Sequence, residues 1–129
     1  MNSEKYREIQ AHVNDGDARR NAGEWGEAKI SYLRALEEFN AVREIDPDAP
    51  MTAEQVDLQK TINARIEDVS SHLATVHLDK GRAAMSNKAW QIAIDELEEA
   101  TRLAKDENIA FLEEVKALLD KARNKHRDA

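Results

Sequence analysis

The sequence predicts an all-α fold of five helices, and three observations carry that prediction. Apolar residues recur at three- and four-residue steps along almost the whole chain, which is the helical period. Ala, Leu, Glu, Lys, Arg and Gln dominate, residues that lose little side-chain freedom in a helix. Only two prolines and four glycines occur, so helix breakers are few.

A first helix is predicted from about Ser3 to Ala22, with Tyr6, Ile9 and Val13 on one stripe and Gly23 as its stop. The second runs from about Glu24 to Ile45. Its buried face is predicted to carry Trp25, Ala28, Tyr32, Ala35, Leu36, Phe39 and Val42. Asp46 to Pro50 holds both prolines and is the clearest break. Thr52-Ala53-Glu54-Gln55 has the spacing of a capping box, opening a long periodic segment over about 52–86. No breaker interrupts that segment before Ser86-Asn87, so it reads as one helix about 50 Å long. A weak point is expected at Asp68 to Ser71, where poor helix formers cluster. A fourth helix carries Trp90, Ala93, Ile94, Leu97, Ala100 and Ala104. A fifth, over about 107–126, is capped by Asp106 or Asn108 and carries Ile109, Leu112, Val115, Leu119 and Ala122.

At 129 residues the chain suits a single all-helical domain, 1–129, with one continuous core. Charged residues reach 35% but apolar ones 41%, which argues against disorder. A net charge of −7 repels phosphate backbones, so no nucleic-acid partner is expected. The one basic cluster, Lys121, Arg123, Lys125 and Arg127, reads as a solvated helix end that complements the macrodipole. Without cysteine there is no disulfide, thiolate zinc site or thiol nucleophile. MNSEKYREIQ lacks the apolar core of a signal peptide, and no stretch approaches the roughly 18 apolar residues of a membrane span. Cytoplasmic placement without membrane insertion is the expectation; a chain trimmed of a signal would read the same.

Sliding the chain against itself by 65 residues aligns two helix-turn-helix units. His12 falls on His77, Gly16 on Gly81, Ala18 on Ala83, Trp25 on Trp90, Ala28 on Ala93 and Ala35 on Ala100. Glycine and alanine at these positions let two helices approach closely, with a tryptophan at the turn. Gly16-Asp17-Ala18, then Gly23-Glu24-Trp25-Gly26-Glu27-Ala28, then Tyr32, Ala35 and Leu36 resemble the tetratricopeptide repeat. Gly81, Ala83, Trp90, Ala93, Leu97 and Ala100 resemble it more weakly. The resemblance covers about 34 residues per unit. It departs from the family at Asp15 and Lys80, which precede the glycines, at His12 and His77, which replace a usual aromatic, and at Pro47, which comes late. Microtubule-interacting-and-trafficking three-helix modules share similar small-residue patterns and fit less well. The resemblance implies a divergent five-helix array: hairpins at about 3–45 and 69–105, the long central helix shared between them, and a capping helix at about 107–126.

Chemistry is harder to find than fold. His12 and His77 each lack a second ligand at helical spacing, and His72 lies five residues from His77, so they read as structural histidines. Glu98-Glu99 and Glu113-Glu114 diverge around their helices and read as solvated faces. Trp25 and Trp90 are expected in the core rather than stacked on a ligand. No phosphate loop, nucleophile elbow or zinc helix motif occurs, so neither catalytic residues nor a cofactor or metal is expected.

In tetratricopeptide proteins the first helices of the hairpins line a groove for peptides or helices. The resemblance implies Val13, Asp17, Arg20 and Asn21 in one unit, and Leu78, Arg82 and Met85 in the other. Val13 and Asp17 depart from the lysine and asparagine that clamp a C-terminal carboxylate. The implied function is a protein-interaction module for a peptide or helix of a partner protein. The alternative is a self-associating structural element, a homodimer through its long helix.

Overall fold

A computed structural model describes residues 1–129 and contains five α-helices and no strand. They are α1 (Ser3–Asn21), α2 (Trp25–Ile45), α3 (Ala53–Ser86), α4 (Trp90–Leu103) and α5 (Ile109–Asp128). The breaks fall where turn and breaker residues cluster. α3 runs 34 residues without interruption, straight through Asp68 to Ser71. Its length does not make one compact body. The chain divides into two units, Met1–Val69 and Ser70–Ala129, so the first half of α3 belongs to one and the second half to the other.

Local chemistry sets the helix ends. The Asn2 side chain accepts from the Lys5 amide at 2.8 Å and caps α1, which begins at Ser3 as expected. At α3, Thr52 Oγ1 accepts from the Gln55 amide at 3.1 Å while Gln55 Oε1 accepts from the Thr52 amide at 3.3 Å, the reciprocal pair of a capping box. Asn108 caps α5 through the Phe111 amide at 3.4 Å.

The two hairpin turns are the same structure at a 65-residue shift. After α1, the Glu24 amide donates to the Arg19 carbonyl at 2.8 Å and the Gly23 amide to Arg20 at 3.0 Å. After the second half of α3, the Ala89 amide donates to Ala84 at 2.9 Å and the Lys88 amide to Met85 at 3.0 Å. Both are Schellman closures, which need a left-handed residue at the second position. Gly23 supplies it with φ +79; Lys88 supplies it with φ 59 and carries the steric cost of a Cβ there. Trp25 and Trp90 open α2 and α4 next to these turns, half-buried rather than in the core as expected.

Each unit packs three helical segments. In unit 1, Ile9 and Val13 of α1, Ala28, Tyr32, Ala35 and Phe39 of α2, and Leu58, Ile62 and Val69 of α3 are buried. In unit 2, Leu78 and Ala84 of α3, Ala93, Ile94, Leu97 and Ala100 of α4, and Val115, Leu119 and Ala122 of α5 form one apolar cluster. The repeated glycines mark a close crossing in each. A Cβ on Gly16 would lie 2.5 Å from Tyr32 Cε1, and one on Gly81 would lie 2.7 Å from Leu97 Cδ2. Tyr32 and Leu97 are themselves 65 residues apart. The same backbone approach is therefore filled by a tyrosine in one hairpin and a leucine in the other.

Candidate functional site

The implied groove residues can be followed outward from these cores. Val13 is 1% exposed and Leu78 is 4%, so both are core side chains closed to a ligand. Their helices meet neighbours on two sides, and this stripe faces inward rather than to a groove. Asp17 is committed as well. Its Oδ1 accepts from the Tyr32 hydroxyl and, at 3.0 Å, from Arg65 Nε on α3. Burial, followed by this hydrogen bond to a carboxylate, pushes the Tyr32 hydroxyl up to about 12. Arg20 lies 3.9 Å from Asp17 and 3.7 Å from Asp68 of α3. The side of α1 assigned to a ligand is thus the side that pairs with α3.

In unit 2, Arg82 pairs with Glu114 of α5, and Met85 packs half-buried against the apolar cluster. Asn21 is exposed at the end of α1. The structure brings Asp17 and Arg20 into one ion-pair network and Leu78 and Met85 into one core. Neither group forms an open recognition surface.

The remaining polar side chains tie the helices of each hairpin together. Asp15 accepts from Ser31 Oγ at 2.6 Å and from Arg19 Nε at 3.0 Å. The Ser31 hydrogen bond, then that of Arg19, holds its carboxyl below the usual value. His12 reaches Glu38 at 3.3 Å, and His77 reaches Glu96 at 2.5 Å. Each histidine joins the first helix of its hairpin to the second, although the two glutamates are not equivalent in the repeat. No group of three or more His, Asp or Glu is placed to hold a metal ion. No helix is long and apolar enough to cross a membrane. In the basic cluster at the end of α5, Arg123 lies 3.3 Å from Glu98 of α4, and Arg127 lies 3.5 Å from Asp128.

One surface stands apart from this internal pairing. On the outer face of α2, Ile30 is 51% and Leu33 43% exposed, one helical turn apart. Of the other exposed large aliphatics, Ile92 lies on α4 and Ile109 on α5, while Met1 and Ile45 line a second recess with Val42 and Ala49. Beside Ile30 lies a recess of about 180 Å³ lined by Arg19 of α1 and by Glu27, Ile30, Ser31 and Arg34 of α2. Glu27 interacts electrostatically with Arg19, which lines the same recess. The signal for this face was present in the sequence, since Ile30 and Leu33 are apolar residues off the buried stripe of α2. No protein-family model, curated protein or solved structure matches the chain.

Proposed function

We propose that the chain is a tetratricopeptide-like protein-interaction module that takes a helix of another polypeptide on the outer face of α2. Support for the repeat reading comes from the two hairpins, which share a glycine crossing, a Schellman turn and a tryptophan at the same 65-residue shift. Support for binding comes from one observation: Ile30 and Leu33 form an aliphatic pair in solvent, with Glu27 and Arg34 beside Ile30. Apolar side chains ringed by polar residues are a recurring feature of interaction sites. Because Asp17 and Arg20 of α1 pair with Arg65 and Asp68 of α3, our reading takes α2 rather than the first helices as the binding element. A helix is the fitting ligand because its apolar side chains recur one turn apart, the spacing of Ile30 and Leu33.

A photo-crosslinking residue at position 33, with position 92 as the reference, tests this in extract of the native cell. Capture of a discrete polypeptide from position 33 and not from position 92 is expected, and Ile30→Glu should abolish it without loss of helicity. Indistinguishable capture from the two positions refutes the reading.

A further inference from the structure

Six exposed residues of α2 form a stripe opposite its buried one. Gly26, Ile30, Leu33, Glu37, Asn40 and Glu44 follow at alternating steps of four and three, the spacing at which a helix pairs with another along a seam. At about 100° per residue they share an arc of about 80°. Ala28, Ser31, Tyr32, Ala35 and Phe39, the buried residues of α2, lie on the other side of the helix. The stripe changes character along its length. Its N-terminal half is small or aliphatic at Gly26, Ile30 and Leu33. Its C-terminal half is polar and acidic, and Glu37, Asn40 and Glu44 line an open recess together with Leu33, Leu36 and Ala41.

We infer that the helix taken by α2 is aliphatic along one half of its contact face and cationic along the other, with lysine or arginine opposite Glu37 and Glu44. The inference rests on the reading of the α2 face as a binding surface and names the chemistry of its occupant. Aliphatic side chains on the first half cover Ile30 and Leu33 and remove them from water. Lysine and arginine suit the second half because their stems pack on apolar groups, here Leu36 and Ala41, while their charged heads reach the carboxylates. Two features of α2 strengthen the demand for positive charge there. Arg43 is the one cation of the C-terminal half, and its guanidinium is committed to the following loop, donating to the carbonyls of Ala49 and Pro47 at 2.8 and 3.1 Å. The last turn of the helix, which holds Glu44, adds the partial negative charge of its terminal carbonyls.

The stripe does not fit itself. Two copies of α2 crossing antiparallel would set Glu37 on Leu33 and Asn40 on Ile30, pressing polar groups against aliphatic ones. A parallel, in-register pair would set Glu37 on Glu37 and Glu44 on Glu44, and like charges repel. A neutral or acidic helix likewise leaves both carboxylates without a counter-charge in the contact. The acidic half therefore selects among helices that the aliphatic half alone would accept. The net charge of −7 on the whole chain acts in the same sense, since it draws a cationic segment and repels a second copy.

Fluorescence anisotropy of labelled synthetic peptides with the purified full chain tests the inference. The probes are helical peptides of about three heptads, with leucine on one half of the seam and lysine on the other. They are made with the lysine half at either end, and their counterparts carry glutamate in place of lysine. At low salt the better lysine peptide should bind about tenfold tighter than its glutamate counterpart, and the gap should narrow as salt rises. Glu37→Lys together with Glu44→Lys should reverse the preference. Glu107→Lys together with Glu113→Lys makes the same change of net charge at two exposed residues elsewhere and should leave the preference in place. Circular dichroism is the fold control for both. No binding, or equal binding of the two peptide types, overturns the inference. So does a preference that survives reversal at positions 37 and 44, or one that is lost equally on reversal at 107 and 113. Crosslinking from position 33 keeps the two readings apart. A captured segment without lysine or arginine on its contact face overturns the cationic partner and upholds the α2 face, whereas no capture removes the face itself.

Discussion

Placing an alanine at Gly16 tests the close crossing of α1 and α2, and two opposing effects decide its sign. In an ordinary helix interior, Gly→Ala stabilises by about 1 kcal/mol, because glycine loses more backbone entropy. At Gly16 the added Cβ would meet Tyr32 Cε1, Cδ1 and Cζ at 2.5, 2.7 and 2.9 Å. Carbon atoms settle at about 3.5–4.0 Å, so the ring has to retreat by roughly 1 Å. The ring has little freedom to do so. It is fully buried, and its hydroxyl is tied to Asp17, which also holds Arg65. Overpacking of this kind costs about 1–3 kcal/mol, and losing the hydrogen bond to a charged group costs about 1.5–3 kcal/mol more if the ring swings away. After the propensity gain is subtracted, Gly16→Ala should destabilise unit 1 by about 0–2 kcal/mol if the ring keeps its hydrogen bond and by about 1.5–5 kcal/mol if it loses it. Gly81→Ala meets Leu97 Cδ2 and Cγ at 2.7 and 2.8 Å, but the leucine has no hydrogen bond to lose and can change rotamer. Its expected cost is the lower of these, about 0–2 kcal/mol in unit 2. Gly26 on α2 is the control, with nothing within 4 Å of its Cβ position, and its alanine variant should be neutral or up to about 1 kcal/mol more stable. Urea unfolding followed by tryptophan fluorescence resolves the two units, because Trp25 lies in one and Trp90 in the other; a Trp→Phe background isolates each. Gly16→Ala as stable as Gly26→Ala would refute the close crossing of α1 and α2.

Two further outcomes follow from the turns and the buried phenol. Lys88→Gly should stabilise the second hairpin by up to about 1 kcal/mol, and Gly23→Ala should destabilise the first by a similar amount, since both positions hold a left-handed backbone. Thermal melts that move both variants in the same direction would contradict the shared turn geometry. Tyr32 is raised from 10.0 to about 12 in the folded chain. The raised phenol contributes stability that is fully present below pH 10 and is lost as pH rises toward 12, in total about 2–3 kcal/mol. Tyr32→Phe should remove this part of the alkaline slope. Denaturant titrations of the two proteins between pH 9 and 12 measure it, and identical slopes would refute the linkage.

Much of the secondary structure was legible because its determinants are local. The Thr52/Gln55 box, the stop at Gly23 and the prolines at 47 and 50 act within four residues of themselves, so they mean the same thing in the sequence and in the fold. The repeat was legible for a related reason. Close helix crossings demand small residues at fixed offsets, and Gly16 and Gly81 carry that demand openly. The left-handed Lys88 was not visible, because a lysine announces nothing about φ. It became apparent only once the hydrogen bonds of the turn set its register.

What each side chain faces was decided by tertiary packing. Periodicity shows that α1 has an apolar stripe, but a helix with neighbours on two sides buries more than one stripe. That is why Val13 and Leu78 belong to cores and not to a groove. Asp17 and Arg20 read as surface charges, yet Arg65 and Asp68, some 48 residues further along the chain, claim them when α3 packs against α1. The converse holds on α2. Ile30 and Leu33 are apolar by type and would suit a core, but the side of α2 that meets α1 is chosen by Ala28, Ser31, Tyr32 and Ala35, whose shapes fit the glycine crossing. Sequence alone therefore determined where the helices begin and end and that they pair as repeated hairpins. Which faces are spent on the fold and which stay exposed depended on contacts between residues far apart in the chain.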